Sequence, residues 1–493
     1  MDDKILLHDL HDLHDLHYSQ EMAPAEVSEV DLYQKREKIY TRKIEGFFQR
    51  LRLFTGWPLL LLYFYIPWLQ WNNPQGESRQ AVLFDFVHRK FYVFGLTFWP
   101  QDLSMLAWLL IIAAFGLFFI TTIAGRVWCG YTCPQTVWTS IYMWIEQRVE
   151  GTRNQRIRLD EAPWSVEKVW KKLLKHSLWL VVAFYTGYTF IGYFYPITEL
   201  NWQLFSAEMS WTVFSWIMFF TCATYINAGW LREQVCMYMC PYARFQAVMF
   251  DSNTLIVSYD TERGEPRGSR KRGIDLHETH LGGCIDCQLC KQVCPTGIDI
   301  RDGLQYQCIG CALCIDACDS VMQKMQYPRG LIRYTTENAL AHRPTQWLRP
   351  RLLGYGITII VMSLVLGARL ATRVPLEVNV IRDRDNLFVE TVDGKIENQY
   401  TLKIANKAEQ DRHFKIEVNG LENFQLLGRN NPEIAAGSVE DIRVRLVVNK
   451  NSQVIANRPI KFVVTDVVNE QYSIAKESRF ISPAISSSIS PPS

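Results

Sequence analysis

The chain has 493 residues and a formal net charge of +2, which excludes a global electrostatic partner such as nucleic acid. A chain of this length is expected to form about three domains. Its 16 Trp, 22 Tyr and 26 Phe residues are concentrated before residue 230, a distribution typical of rings at membrane interfaces. A mean hydropathy near zero then indicates apolar spans diluted by polar domains.

Residues 1–32 begin with a three-residue repeat, LLHDLHDLHDLHY, that places His8, His11, His14 and His17 in register. His-rich tracts can bind metal, but a period of three forms no stable helical face. We therefore predict a disordered tail, with weak copper or nickel capture as the alternative. Because the early residues are acidic and no long apolar run begins among them, we also predict that there is no signal peptide.

Five apolar stretches are close to the length of about 20 residues that a helix needs to cross a bilayer. The first four belong to a membrane domain at residues 33–250, and the fifth follows a polar segment. The predicted spans are 54–71, 103–125, 177–197, 209–229 and 351–370. The expected fold class is therefore multi-domain and begins with an α-helical polytopic membrane domain in the lipid bilayer.

Lys and Arg residues beside these spans indicate their orientation. Basic residues cluster before the first span and between the second and third, whereas residues 72–101 contain only Arg79, Arg89 and Lys90. The N-terminus is therefore predicted to be cytoplasmic, and the loops to alternate. On this topology the segment at 251–350 is also cytoplasmic, and the chain after the fifth span lies in the periplasm.

Eight of the thirteen cysteines lie in two runs, CIDCQLCKQVCP and CIGCALCIDACD, with the shared spacing C-x2-C-x2-C-x3-C. This spacing is typical of bacterial two-cluster ferredoxins, in which three thiolates of one run and the last of the other bind each cubane. We assign one 4Fe-4S cluster to Cys284, Cys287, Cys290 and Cys318. We assign the second to Cys308, Cys311, Cys314 and Cys294. Two zinc sites are the alternative, but zinc would not require two complete runs.

A second pair of cysteine motifs follows the second and fourth spans. Both read C-x-Y-x-C-P and contain Cys129 and Cys133 in the first copy, and Cys236 and Cys240 in the second. The repeat predicts that spans one and two duplicate spans three and four, and that four sulfurs meet at the membrane surface. Soft thiolates select Cu(I), zinc or iron–sulfur centres. Buried cysteines without a metal are the alternative.

Residues 376–483 change to short runs that alternate apolar and polar side chains, as in the sequence around Ile442, Val444 and Leu446. Such runs, broken by Asn, Gly and Asp turns, predict an all-β immunoglobulin-like sandwich. The region contains no cysteine, so it lacks the disulfide of a true immunoglobulin domain. The low-complexity residues 484–493 are predicted to form a flexible tail.

Several linked motifs together resemble the FixG/CcoG family of cytochrome c oxidase accessory proteins. They are WCGYTCPQTVW, REQVCMYMCPYARFQ, YDTERGEPRG and CPTGIDIRDGLQYQCIGCALCIDACD. The resemblance implies a bacterial inner-membrane protein required for assembly of cbb-type oxidase, with cupric reductase activity that makes Cu(I) for the oxidase copper site. Its implied partners are oxidase subunits or copper chaperones, and its electron donor is unknown. We expect copper at Cys129, Cys133, Cys236 and Cys240.

Two other functions fit the same motifs. The first resembles the NapH-type membrane quinol dehydrogenases, which also combine C-x3-C-P motifs with ferredoxin clusters and would pass electrons from quinol to a soluble partner. The second is a non-catalytic assembly scaffold, whose outer sandwich binds the oxidase or a copper chaperone.

Overall fold

The computed structural model describes residues 38–72, 78–272, 280–383, 386–408, 410–449 and 457–483. The chain divides into two compact units, Met1–Ile39 and Tyr40–Ser493. Only residues 38 and 39 of the first unit are described, so the fold below is that of the second unit. The predictions for residues 1–32 and 484–493 fall outside the described residues.

Helices dominate the described chain up to residue 371. In chain order they are α1 (Phe47–Tyr65), α2 (Leu103–Ala124), α3 (Val127–Tyr131), α4 (Pro134–Val149), α5 (Arg153–Glu161), α6 (Val166–Ile191), α7 (Ile197–Ser206), α8 (Trp211–Thr224), α9 (Pro241–Met249), α10 (Thr261–Gly264), α11 (Leu289–Val293), α12 (Leu313–Met325), α13 (Glu337–Leu340) and α14 (Pro350–Ala371). Two π-helices, Tyr225–Leu231 and Val235–Met239, lie between α8 and α9. Proline occupies the first helical position of α4, α9 and α14, where its missing N–H costs no hydrogen bond.

The first helix begins at Phe47 because a distant carboxylate caps it. The backbone amides of Phe48 and Gln49 donate to Asp316 at 3.2 and 2.8 Å. Gly46 lies so close to this carboxylate that an added Cβ would approach the Asp316 Cγ to 2.2 Å. Since Asp316 belongs to α12, the start of α1 is fixed against the segment that carries the eight clustered cysteines.

Among the described residues, two helices are long and apolar enough to cross a membrane, namely α2 and α14. A third span is possible if α7 and the continuous helix Trp211–Leu231, which are bent by 101° relative to each other, count as one. The predicted count of five is therefore not confirmed. The reason is compositional: α6 contains Lys168, Lys171, Lys172 and Lys175 in its first half, so a shorter part of it is apolar. The apolar windows of α2 and α14 are exposed, as expected for surfaces that contact lipid.

Five short strands lie in the described parts of the chain between residues 70 and 98. They are β1 (Gln70–Asn72), β2 (Ser78–Gln80), β3 (Val82–Asp85), β4 (Lys90–Val93) and β5 (Leu96–Phe98). The first two pair with each other in antiparallel fashion, and the other three form an antiparallel sheet in the order β3-β4-β5. The side chain of Gln80 donates to Gly192 O at 2.6 Å and its carbonyl accepts from Ile197 N at 3.0 Å, which ties these strands to the end of α6.

The cysteine-rich segment folds between two antiparallel strands, β6 (Ile256–Tyr259) and β7 (Ile332–Thr335). The short helix α11 and the longer α12 lie between them in sequence and pack on each other. Their core includes Val257, Ile315, Met322 and Leu331.

Residues 376–481 form two antiparallel sheets around one apolar core. The strands are β8 (Leu376–Arg382), β9 (Val389–Glu390), β10 (Lys395–Asn406), β11 (Arg412–Asn419), β12 (Phe424–Gly428), β13 (Glu433–Ile434), β14 (Val439–Asn449), β15 (Asn457–Asp466) and β16 (Ser473–Ile481). One sheet has the order β12-β14-β10-β8 with β9 beside β10, and the other has the order β13-β11-β15-β16. Side chains from both sheets, including Tyr400, Val444 and Phe462, are completely buried in the core. The predicted sandwich is confirmed.

Candidate functional site

Four of the clustered cysteines line one cavity. Cys284, Cys287, Cys290 and Cys318 surround it, and its other walls are mainly apolar. These are the four thiols that the spacing assigns to the first cluster. The structure thus brings together the last cysteine of the second run with the first three of the first run, although Cys318 lies 28 positions after Cys290 in the chain.

The other four cysteines line a neighbouring cavity. Cys294, Cys308, Cys311 and Cys314 surround it, and Cys290 borders it as well. The two cavities therefore meet at Cys290, so centres bound in them would be immediate neighbours.

The two runs form the same local turn. Asp286 and Gln288 in the first run have φ of 51° and 54°, and the equivalent Gly310 and Ala312 have φ of 65° and 59°. Left-handed residues at alternate positions reverse the chain twice within a few residues and curl it around a centre. A C-x2-C-x2-C run in this conformation places its three sulfurs around one point.

The donor set fits a cubane cluster. The pKa of the thiols of Cys290, Cys308 and Cys318 is raised to about 12, mainly by burial. Iron ligation removes this penalty, because a bound thiolate is deprotonated by the metal. Among the described residues, no three His, Cys, Asp or Glu side chains converge as ligands of a single metal ion. Four thiols spread around a cavity match a cluster instead, in which each sulfur binds a different iron.

A buried arginine borders the first cavity. Arg301 pairs with Asp299 at 2.6 Å and with Asp286 at 2.5 Å, and its side chain is 6% exposed. The hydrogen bond from Arg301 lowers the pKa of Asp299. The stability that this pair contributes is therefore present above the ordinary carboxyl pKa and is lost as the pH falls through the lowered value. At neutral pH the arginine charge stays next to the first cavity.

The two C-x-Y-x-C-P motifs lie where helices begin and end. Cys129 lies in α3, and Cys133 directly precedes α4. In the second motif Cys236 lies in a π-helix, and Cys240 directly precedes α9. Proline after each second cysteine starts the next helix, so both motifs turn the chain at the same position.

The four motif thiols are close neighbours. Burial and then the charges of the other three motif thiols raise the pKa of Cys236 to about 12. Burial also raises the pKa of Cys129 to about 12, with repulsion from Cys133 and Cys240 among the lesser causes. The Cys129 thiol donates to Gln246 Oε1 at 3.4 Å. The four motif thiols, called the thiol group below, therefore lie near one another. Among the described residues, however, no three of them converge as ligands of a single metal ion.

The first motif rests directly on the second cluster loop. A Cβ added to Gly130 would lie 2.9 Å from both Cys311 Cα and Gly310 O. Cys129 packs in the same apolar group as Cys311 and Ile309. Only glycine allows this approach, because any side chain would collide with backbone. Of the four motif cysteines, Cys129 is thus packed against the loop that lines the second cavity.

Arg126 reinforces this contact. Its guanidinium donates to the carbonyl of Tyr306, to Cys308 O at 3.4 Å and to Ala243 O at 2.9 Å. Sequence reasoning did not identify Arg126, Gly130 or Gln246 as functional residues. The sequence did contain a signal for Gly130. The second copy of the motif has Met237 at the equivalent position, so the glycine is not part of the repeated pattern and needs a separate explanation.

These features define the class of protein: a membrane-associated iron–sulfur protein with a two-cluster ferredoxin segment and a C-terminal β-sandwich. Family models agree. A 4Fe-4S dicluster domain matches residues 231–337, and a 4Fe-4S binding domain matches residues 106–150. The "IG-like fold at C-terminal of FixG" matches residues 366–483.

Similarity to whole proteins gives the family. The chain is 40% identical to nitrogen fixation protein FixG of Rhizobium meliloti over 424 residues, which cover 79% of this chain and 80% of that protein. It is 39% identical to protein RdxA of Cereibacter sphaeroides over 79% of this chain and 84% of the relative, and 39% identical to protein RdxB of the same organism over 85% and 91%. The chain belongs to the FixG family, as its motifs predict.

Proposed function

We propose that this protein transfers electrons from two 4Fe-4S clusters to copper(II) at its four C-x-Y-x-C-P thiols. Cys284, Cys287, Cys290 and Cys318 would hold one cluster, and Cys308, Cys311, Cys314 and Cys294 the other. The copper(I) formed would serve the maturation of a cbb-type cytochrome c oxidase, with oxidase subunits or copper chaperones as partners. From the basic-residue bias, we place the clusters on the cytoplasmic side of a bacterial inner membrane and the sandwich in the periplasm.

The contact of Gly130 with Gly310 and Cys311 carries this proposal. It places the thiol group next to the second cavity, and that cavity borders the first at Cys290. A reduced cubane releases one electron, which is the number that converts Cu(II) to Cu(I). Thiolates prefer the cuprous product, so the same sulfurs favour the reduced state of the metal.

Replacing the four motif cysteines with serine tests the proposal. We expect the quadruple variant of Cys129, Cys133, Cys236 and Cys240 to keep its iron and sulfide content but to lose reduction of added Cu(II). The matched control is Cys222→Ser, because Cys222 is an exposed thiol outside the motifs. The dithionite-reduced proteins are freed of dithionite by anaerobic gel filtration and mixed with Cu(II), and Cu(I) is measured with a chelating dye. A quadruple variant that reduces copper as fast as Cys222→Ser would place the site elsewhere.

Arg301→Gln is expected to lower the reduction potential of the first cluster. The change removes a cation and leaves Asp286 and Asp299 without their partner, so a reduced, more negative cluster is stabilised less. A unit charge about 10 Å away in an effective dielectric of ~20 contributes about 1.7 kcal/mol, or ~70 mV for one electron. EPR-monitored titration measures both potentials. The control is Arg329→Gln, because Arg329 is exposed. If Arg301→Gln leaves the reduction potential of the first cluster unchanged or raises it, Arg301 does not lie beside that cluster.

A further inference from the structure

A cavity of about 350 Å³ lies where α1, α4 and the cysteine-rich segment meet. It is separate from the two cysteine-lined cavities, and no cysteine lines it. Its volume is within the range of sites that hold a small organic ligand. Apart from Gly130, the residues that line it have no part in the proposed function.

The cavity is apolar on the side of α1 and α4. Leu53 and Trp57 of α1 face Ile141 and Trp144 of α4 across it. The two tryptophans are 52% and 53% exposed. Tryptophans of this kind are enriched at the level of the lipid headgroups, so the opening between them is suited to a ligand that arrives from the bilayer.

The opposite side supplies hydrogen-bonding and positive groups. Gln49 and Gln147 line the cavity, and their side-chain amides make no hydrogen bond to another described residue. Arg42 and Arg52 also line it, as does Lys43, which pairs with Glu45 at 2.9 Å, and no carboxylate lines the cavity among the described residues. Amides can bind the oxygens of a polar ring, and cations stabilise the anion that forms when such a ring loses a proton.

The floor of the cavity is the loop of the second cluster. Val293 and Pro295 line it and are the two chain neighbours of Cys294, and Leu313 lines it and precedes Cys314. Gly130, which touches Cys311, contributes to the same floor. A redox ligand in this cavity would therefore lie one residue away from two ligands of the second cluster.

We propose that this cavity binds a membrane quinol, which is the electron donor to the clusters. The inference rests on the proposed function, to which it adds the class of donor. One quinol gives two electrons and two protons and becomes a quinone. The electrons reduce the two clusters by one each, and the clusters then reduce two Cu(II) ions. The protons leave to water at the polar end, beside Arg42 and Lys43.

The position of the cavity favours a quinol over an anionic phospholipid. Both have a polar group and an apolar tail, and the three basic residues would attract a phosphate as well. A lipid headgroup, however, gains nothing from contact with a cluster loop. A quinol needs that contact, because the electron must reach the iron.

The test uses full-length protein in phosphatidylcholine vesicles, with decylubiquinol as the reductant under anaerobic conditions. EPR measures the rate of cluster reduction. Ser140 lines the cavity and its hydroxyl donates to Val137 O at 2.6 Å, so Ser140→Phe fills the cavity with a ring. We expect reduction by decylubiquinol to slow about tenfold to a hundredfold, the range that overpacking of a site produces. The milder Gln147→Leu, which removes one amide, is expected to slow it less.

The matched control is Ser215→Phe, since Ser215 is exposed on α8 and its hydroxyl likewise donates within its own helix, to Trp211 O at 2.7 Å. Dithionite must reduce the clusters of every variant, which shows that the clusters are intact. The proposal is overturned if decylubiquinol does not reduce wild-type clusters that dithionite reduces, or if Ser140→Phe and Gln147→Leu both match Ser215→Phe. It is also overturned if Ser140→Phe displaces a co-purified phospholipid, found by mass spectrometry, while the quinol rate is unchanged. Failure of dithionite-reduced protein to reduce Cu(II) would instead overturn the proposed function.

Discussion

Replacing Gly130 with alanine is expected to slow copper(II) reduction by roughly tenfold to a hundredfold, the effect of misplacing a reacting group by about 1 Å. The added methyl group would lie 2.9 Å from the backbone of Gly310 and Cys311, so α3 and the cluster loop must separate. The methyl group would meet rigid backbone in the cluster loop, and Arg126 holds α3 in place on the other side. No flexible side chain is therefore available to move out of the way. The electron step between the second cluster and Cys129 is therefore lengthened, although every cysteine remains.

Gly116→Ala is the matched control for this prediction. Gly116 also lies in a helix, α2, and a Cβ added there meets no atom within 4 Å. Alanine is a better helix former than glycine by about 1 kcal/mol, so neither change weakens its helix by propensity. The measurement is the rate of Cu(I) formation by dithionite-reduced protein, with iron and sulfide content checked in both variants. Equal rates in Gly130→Ala and Gly116→Ala would mean that electrons do not pass through this contact.

Features with a local cause could be predicted from the sequence. The grouping of the first three cysteines of each run follows from the spacing, because each run makes its own pair of left-handed turns. The strand around Ile442 was also predictable, since alternation places Ile442, Val444 and Leu446 on the buried face of β14. In both cases the signal lies within about ten residues, and no distant partner is needed to read it.

Features that depend on distant residues could not be predicted. The first helix begins at Phe47 instead of residue 54 because Asp316 caps it. The predicted span 177–197 ends early, at Ile191, because the chain turns before α7 begins behind Pro196. The contact between Gly130 and Cys311 also depends on distant residues. The C-x-Y-x-C-P motif and the second cysteine run were both identified in the sequence, but their spacing contains no information on how they pack against each other.

Glu146→Gln is expected to lower the free energy of unfolding by about 3–5 kcal/mol, the cost of removing one partner from a buried ion pair. Glu146 is completely buried, and its Oε2 accepts from Arg156 at 3.3 Å and from Arg232 at 3.1 Å. Lys175 lies 3.9 Å from its other oxygen. The variant keeps the shape of the side chain but removes an anion that faces three buried cations.

The same change is expected to disturb the second motif. Arg232 lies between the two π-helices with φ of 47°, and its carbonyl accepts from Gln135 at 3.1 Å, two residues after Cys133. Glu146 thus holds the backbone that leads to Cys236 against the helix that follows the first motif. Chemical denaturation in detergent, followed by tryptophan fluorescence, measures the loss of stability. The control is Glu167→Gln, because Glu167 pairs with Lys171 on an exposed face of α6 and its loss should leave the midpoint unchanged. If Glu146→Gln unfolds at the midpoint of the control, the buried charges do not hold the two motifs together, and the thiol group must owe its arrangement to the cluster loop alone.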